Sequence, residues 1–314
     1  MGNLRSGAVK MLVSVILLAV IFHQFNVSEI MGNMFRANVS LLIAGIVVFV
    51  LSGIIGGYKW WLLLRFHGMP LDVRGTVSRY FMGLFFNYLL PGFIGGDVIR
   101  VYKTAVVSGR ATPSFSSTLA DRVSGLFVMV LFSLGAYAIM PRGSADSALP
   151  VAVLMFSILV AFICLFVFRT VGELVMRVFS RFLPDGITEK IDAVYEEMHV
   201  LMKSPPTLLW VFLLSCAVQV ARIGVHYFCG RAVGIELGFL YFALFVPLVE
   251  IVASMPVSFA GLGVRESMAV LLFAFAGVPE ESVVSYTLLA TAAGFMGSMP
   301  GGLLFALSIG DRRK

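Results

Sequence analysis

Arg79–Arg100 reads RYFMGLFFNYLLPGFIGGDVIR, and the fold turns on how such a stretch can sit in a membrane. About twelve mostly apolar residues precede Pro91, too few to cross a hydrocarbon core that needs about twenty. The helix breaks at Pro91-Gly92 and again at Gly95-Gly96, then restarts at Asp97. Proline and glycine release backbone groups from the helix ladder; in lipid these must be buried in protein or line a wet cavity. Residues 79–100 therefore read as a re-entrant segment, with Asp97 suited to the N-cap of the helix that follows.

The surrounding chain is built for lipid. Of 314 residues, 59% are hydrophobic and 13% charged, with a mean hydropathy of +0.97; soluble domains carry about 25% charged and roughly 45–50% apolar residues. A cytosolic enzyme, a nucleic-acid binder and a disordered chain are excluded. The net charge of +6 reports topology and an anionic lipid surface. Cys164, Cys216 and Cys229 lie in apolar runs without CxxC spacing, so neither a disulfide framework nor a zinc site is suggested, and no cofactor is expected.

Apolar runs fall at Met11–Phe22, Val39–Leu64, Val123–Met140, Leu149–Phe168, Thr207–Cys229, Gly238–Met255, Val264–Gly277 and Val283–Ile309. The expected fold is an all-α polytopic membrane protein, a single domain over 1–314 with about 6–8 transmembrane helices. Met11–Phe22 lacks a small-residue cleavage pattern after it and reads as an uncleaved helix. Gly238–Gly277 reads either as two spans or as a re-entrant hairpin. Most basic residues, from Arg5, Lys10, Arg65, Arg74, Arg100, Lys103 and Arg110 to Arg312, Arg313 and Lys314, alternate onto one side. The positive-inside rule places both termini in the cytoplasm, and the protein in the cytoplasmic membrane. Lys59, Trp60, Trp61 and Arg65 read as an interfacial anchor, and Gly53, Gly56 and Gly57 as close helix packing. Between spans, 170–204 is too polar to cross. There Ile187, Ile191, Val194, Met198 and Leu201 form one apolar stripe, the signature of an amphipathic cytoplasmic or interfacial connector helix.

A second broken stretch lies in the other half of the chain: Met255-Pro256-Val257-Ser258-Phe259-Ala260-Gly261-Leu262-Gly263-Val264-Arg265-Glu266. Each stretch has a proline, then small residues, then an arginine. Paired Gly/Pro-interrupted apolar segments in corresponding halves point to a transporter site built from inverted repeats. If 79–100 and 238–277 are such repeats, Arg100 and Arg265 should share one central cavity, with Asp97 or Asp121 as counter-charge for the first and Glu266 or Glu250 for the second. Ionisable residues in apolar segments are expensive and mark function. Here they are Asp97, Arg100, Asp121, Arg122, Arg222, Glu250, Arg265 and Glu266. Asp121–Arg122 and Arg222–Glu250 are candidate structural pairs. Arg265 is expected to supply charge and little packing. Gln219, Arg222 and His226 recur at steps of three and four and share a helix face. No nucleotide-binding GxxxxGK[ST] and no nucleophile signature occurs.

The run N-x-x-L-P-G-x-x-G-G-D-x-x-R (Asn87, Leu90, Pro91, Gly92, Gly95, Gly96, Asp97, Arg100), then D-R-x-x-G-L from Asp121, then P-x-S-x-x-G-L-G-x-R-E (Pro256, Ser258, Gly261–Gly263, Arg265, Glu266), resembles the lysylphosphatidylglycerol synthase transmembrane-region family. The resemblance runs from about Lys10 to Ile309. It implies a flippase-like membrane module; with the chain ending at Lys314, it implies that module without the soluble aminoacyl-transferase domain. The expected function is translocation of an anionic phospholipid or lipid-linked phosphate, with membrane lipids as partners and no catalysis. The expected binding set is Asn87, Pro91, Gly95, Gly96, Asp97, Arg100, Asp121, Arg122, Arg222, Glu250, Ser258, Gly261, Gly263, Arg265 and Glu266. Two alternatives stand beside it. One is a membrane enzyme on a lipid-linked substrate, with Asp97 or Glu266 as base. The other is an ion-coupled transporter of a small anion, with Glu250 or Asp121 carrying a proton. A homodimer is compatible with either.

Overall fold

The computed structural model describes residues 26–90, 95–141, 149–169, 185–254 and 261–310. The first expected span, Met11–Phe22, lies outside them, as do Pro91 and Ser258. The described residues form eleven α-helices and no strand. In chain order these are α1 (Val27–Phe35), α2 (Val39–Phe66), α3 (Val73–Leu89), α4 (Gly95–Ser108), α5 (Ala111–Ile139), α6 (Leu149–Val167), α7 (Asp185–Met202), α8 (Pro205–Ala232), α9 (Phe239–Ala253), α10 (Val264–Ala274) and α11 (Glu280–Gly310).

Four of them, α2, α5, α8 and α11, are long and apolar enough to cross a membrane. At 19 residues, α6 is about 28 Å long, which matches a hydrocarbon core. Local chemistry sets where several helices begin. The Asn38 carboxamide accepts from the Ser40 and Leu41 N–H groups at the start of α2. Asp72 accepts from Gly75 N–H at the start of α3, and α8 opens on Pro205, whose missing donor costs nothing in a first turn.

The other apolar helices are too short to cross. At 17 and 14 residues, α3 and α4 pack against each other as one hairpin; α9 and α10, at 15 and 11 residues, form the other. In Gly238–Gly277, then, two short helices pack side by side where two spans were the other expectation. The hairpins enter from opposite ends. Arg110 at the foot of α4 donates to the carbonyls of His67 and Gly68, just past the end of α2. Lys103 donates to Ser308 near the end of α11. At the far end, Asn38 N–H donates to Ala232 at the end of α8, the end from which α9 departs. Phe242 to Val249 of α9 are all buried, so the backbone group that Pro247 releases from the helix ladder lies within protein. Phe242, Phe245, Phe273 and Tyr286 stack behind it, with ring centroids 5.2–5.8 Å apart among the contacting pairs.

Three expectations needed revision. The helix expected from Val123 starts at Ala111, because buried Ser114, Ser116, Ser117, Thr118 and Asp121 continue it among neighbours instead of ending it. The nine-residue α1 was not anticipated; its fully buried Ile30 packs on Val284 of α11. Asp97 is not an N-cap. It sits in the first turn of α4, and its carboxylate is taken by guanidinium groups. The glycines of α2 do pack closely: a Cβ on Gly53, Gly56 or Gly57 would meet Phe81, Tyr80 or Val77 of α3. In α7, Met198 and Leu201 of the apolar stripe are buried in a small core with Leu63, Ala120 and Val211.

Candidate functional site

The tips of the two hairpins meet the faces of α2, α5, α8 and α11 around one cavity of about 130 Å³. At about 30 Å³ of liquid volume per water, it has room for roughly four waters. In the first hairpin, α3 and α4 touch backbone to backbone. A Cβ on Gly96 would overlap the Gly83 carbonyl oxygen, and Gly96 N–H donates to the Asn87 carboxamide at 3.0 Å. Only glycine permits this approach, and the approach brings the next turn of α4, bearing Arg100, over the cavity.

Charges in this half form one network. Asp97 accepts from Arg100 at 2.6 Å and from Arg122 Nε at 2.5 Å. Asp121 accepts from Arg100 at 3.0 Å and lies 2.9 Å from the Lys59 ammonium. Lys59 also donates to the Asp121 carbonyl, Ser124 Oγ and Ser215 Oγ. The Arg100 guanidinium lies 4.9 Å from the Trp60 ring centre and 4.7 Å from that of Tyr80, an attraction that strengthens when water is excluded. Lys59, Arg100 and Asp121 are each at most 6% exposed.

The second half is simpler. Glu250 of α9 accepts from Arg265 Nε at 2.7 Å and from its terminal nitrogen at 3.4 Å. Arg265 also donates to Thr291 Oγ1 of α11 at 2.8 Å, and His226 Nε2 lies 3.6 Å from Glu250. Gly261 and Gly263 take positive φ values of 74° and 83° at the hairpin tip, a region that favours glycine. Gly263 N–H donates to the Glu266 carboxylate at 2.6 Å, which satisfies an orphan donor at the start of α10.

Of the residues singled out from sequence, Asn87, Asp97, Arg100, Asp121, Arg122, Arg222, Glu250 and Arg265 line this one cavity. Arg100 and Arg265, 165 positions apart, therefore share it. Gly95, Gly96, Gly261 and Gly263 shape the hairpin tips behind it. Glu266 is fully buried and turned to the backbone of its own helix. Gln219 and His226 line the cavity beside Arg222, the shared face that their spacing implied.

Arg100 pairs with Asp97 and Asp121, and Arg265 with Glu250, as expected for those two arginines, whereas other pairings differ. Asp121 does not pair with Arg122: neighbours on a helix do not face each other, so Asp121 turns to Lys59 and Arg100 while Arg122 reaches Asp97. Glu250 pairs with Arg265 and not with Arg222. Arg265 is 4% exposed and packed, not a loosely held charge. Lys59 and Trp60 are not an interfacial anchor; at 3% and 0% exposure they belong to the floor of the site. The signal that could have found Lys59 is its position after Gly56-Gly57, where a helix packed closely on a neighbour has no lipid to face.

The cavity lining holds five cations, Lys59, Arg100, Arg122, Arg222 and Arg265, against the carboxylates Asp97, Asp121 and Glu250. Arg222 stands apart. It is half-buried, and its Nε is shielded from solvent without a hydrogen-bond partner among the described residues.

Comparison with known proteins agrees with the motifs. A UPF0104 membrane protein of Pyrococcus horikoshii is 24% identical over 93% of this chain and 94% of its own length. A UPF0104 membrane protein of Methanothermobacter thermautotrophicus is 25% identical over 81% of the chain and 79% of its own. The family model described as the lysylphosphatidylglycerol synthase transmembrane region matches residues 7–301. The chain belongs to that family of integral membrane proteins.

Proposed function

We propose that the protein is a lipid translocase: the cavity receives the phosphate of an anionic lipid headgroup while the hydrocarbon chains stay in the bilayer. One observation carries the reading. Arginines from both hairpins, Arg100 and Arg265, together with Arg122 and Arg222, converge on one half-closed space at the junction of two oppositely entering hairpins. Arginine suits this task, because its planar fork holds phosphate by two parallel hydrogen bonds and tolerates partial dehydration. Binding proceeds by exchange: a phosphate oxygen replaces a carboxylate on a guanidinium, and the carboxylate's return releases the lipid.

The basic residues Arg65, Lys103 and Arg110 gather at the end from which the first hairpin enters, which supports a cytoplasmic entry for that hairpin in the cytoplasmic membrane. A non-catalytic role is favoured by the fate of the two acids that could serve as a base. Asp97 is held between two guanidiniums and Glu266 caps a helix start. A small-anion transporter would use the same cations, and the lipid assay separates the two readings.

The test is reconstitution into vesicles carrying headgroup-labelled phospholipids, with dithionite bleaching the outer leaflet. The expected result is bleaching well beyond half of the label for at least one anionic lipid. Bleaching equal to that of empty vesicles across lipid classes would overturn the proposal.

A further inference from the structure

The cavity's charges do not balance. Among the described residues, five cations face three carboxylates across its lining, an excess of two positive charges when His226 is neutral and more when it is protonated. Glu266, buried next to Arg265 but outside the lining with its carboxylate on Gly263 N–H, offsets at most one of these charges. Uncompensated charge at membrane depth is costly, so the occupant that suits this site best carries about one to two negative charges.

Headgroup chemistry then narrows the choice. A phosphate monoester carries about −1.5 to −2 charges at neutral pH and presents three acceptor oxygens. A phosphodiester carries one negative charge, and a zwitterionic headgroup carries no net charge. We infer, on the basis of the lipid-translocase reading, that this site selects lipids whose headgroup is a bare phosphate monoester, and that Arg222 is the residue that distinguishes monoester from diester. Arg222 has the free donor: its Nε lies at the cavity wall, screened from water and unpartnered among the described residues. The other four cations already hold carboxylates. A third phosphate oxygen, absent as an acceptor in a diester, satisfies that donor without removing any carboxylate from its partner. The volume agrees. Room for roughly four waters suffices for a phosphate.

Two lipid types share this chemistry, a diacylglycerol monophosphate and a polyprenyl monophosphate, and the experiment includes both. The purified protein is titrated in detergent with phosphatidic acid, polyprenyl monophosphate, phosphatidylglycerol and phosphatidylcholine of matched chains, and bound lipid is quantified by native mass spectrometry. At least one monoester is expected to bind about tenfold or more tightly than phosphatidylglycerol; which monoester does so identifies the source. Arg222→Gln is expected to erase that gap while the protein stays monodisperse, and Arg222→Lys to restore part of it. Equal binding of monoester and diester by the wild type overturns this inference and leaves the translocase reading standing. An undiminished preference in a monodisperse Arg222→Gln protein overturns it as well. Failure to bind any lipid overturns both.

Discussion

The two halves of the cavity solve one problem, how to keep a buried arginine at membrane depth, with different amounts of redundancy. Around Arg100 two carboxylates are shared among three cations, and two aromatic rings cover the guanidinium. Around Arg265, among the described residues, Glu250 takes two of the guanidinium nitrogens and Thr291 takes the third. Exposure divides the halves less sharply: the Asp121 side chain is 7% exposed, that of Asp97 15% and that of Glu250 19%, while Arg122 at 34% is more open than Arg265 at 5%. A network with shared partners resists the loss of any one contact, whereas a single pair opens in one step. The difference teaches that the first half is the frame and the second half is where a phosphate can compete.

The comparison breaks most severely at the hairpin tip of the frame. Gly96→Leu places a side chain where the Gly83 carbonyl already lies, so α3 and α4 must separate and the charge network with them. Loss of transport is expected, with little or no monodisperse protein by gel filtration. Full activity would show that the tight approach is dispensable.

Asp121→Asn comes next. It leaves Lys59 and Arg100 without their shared carboxylate, and breaking a buried pair from one side costs about 3–5 kcal/mol. A large drop in melting temperature is expected in detergent, well beyond that of Glu250→Gln. Equal drops would erase the distinction between frame and exchange site.

In the second half the expected signature is a split between stability and transport. Arg265→Gln strands Glu250 and should lower both. Adding Glu250→Gln restores stability to near the wild-type value, because it removes the stranded charge, while transport stays at least tenfold down. Recovery of transport in the double variant would assign Arg265 a purely structural role.

The smallest effect belongs to the tip of the second hairpin. Gly263→Ala forces a side chain onto a backbone with φ 83° and ψ −47°, at a cost of about 1–3 kcal/mol. A modest loss of melting temperature with measurable transport is expected, in contrast to Gly96→Leu.

How much of this was legible in sequence depended on whether a residue's partner was local. The hairpins could be read because proline and glycine punctuate apolar runs that are too short to cross. The charged residues could be found because lone ionisable groups stand out in apolar helices. Their pairing could be read only in part: the counter-charges of Arg100 and Arg265 were among those expected, and the partners of Lys59 and Arg122 were not. Asp121 and Arg122 are adjacent and therefore diverge, and the partner of Asp97 besides Arg100 comes from a different helix. Lys59 was hidden for a related reason. Lys-Trp-Trp near the end of an apolar run has the composition of an interfacial belt, and only Ser124, Ser215 and Asp121, brought from α5 and α8, turn it into a buried charge. The Arg265–Glu250 pair needed the hairpin of α9 on α10, a fold-level fact. Register along one helix is written in spacing; contact between helices is written in shape.

The central claim is that one cavity, closed by both hairpins, holds the phosphate of a lipid. Cryo-electron microscopy of the protein in nanodiscs containing anionic lipid tests it most directly. The account predicts headgroup density inside the cavity within hydrogen-bonding distance of Arg222 and Arg265, with chain density leaving toward the bilayer. Lipid headgroups confined to the outer surface of the bundle, with the cavity filled only by water, would contradict it.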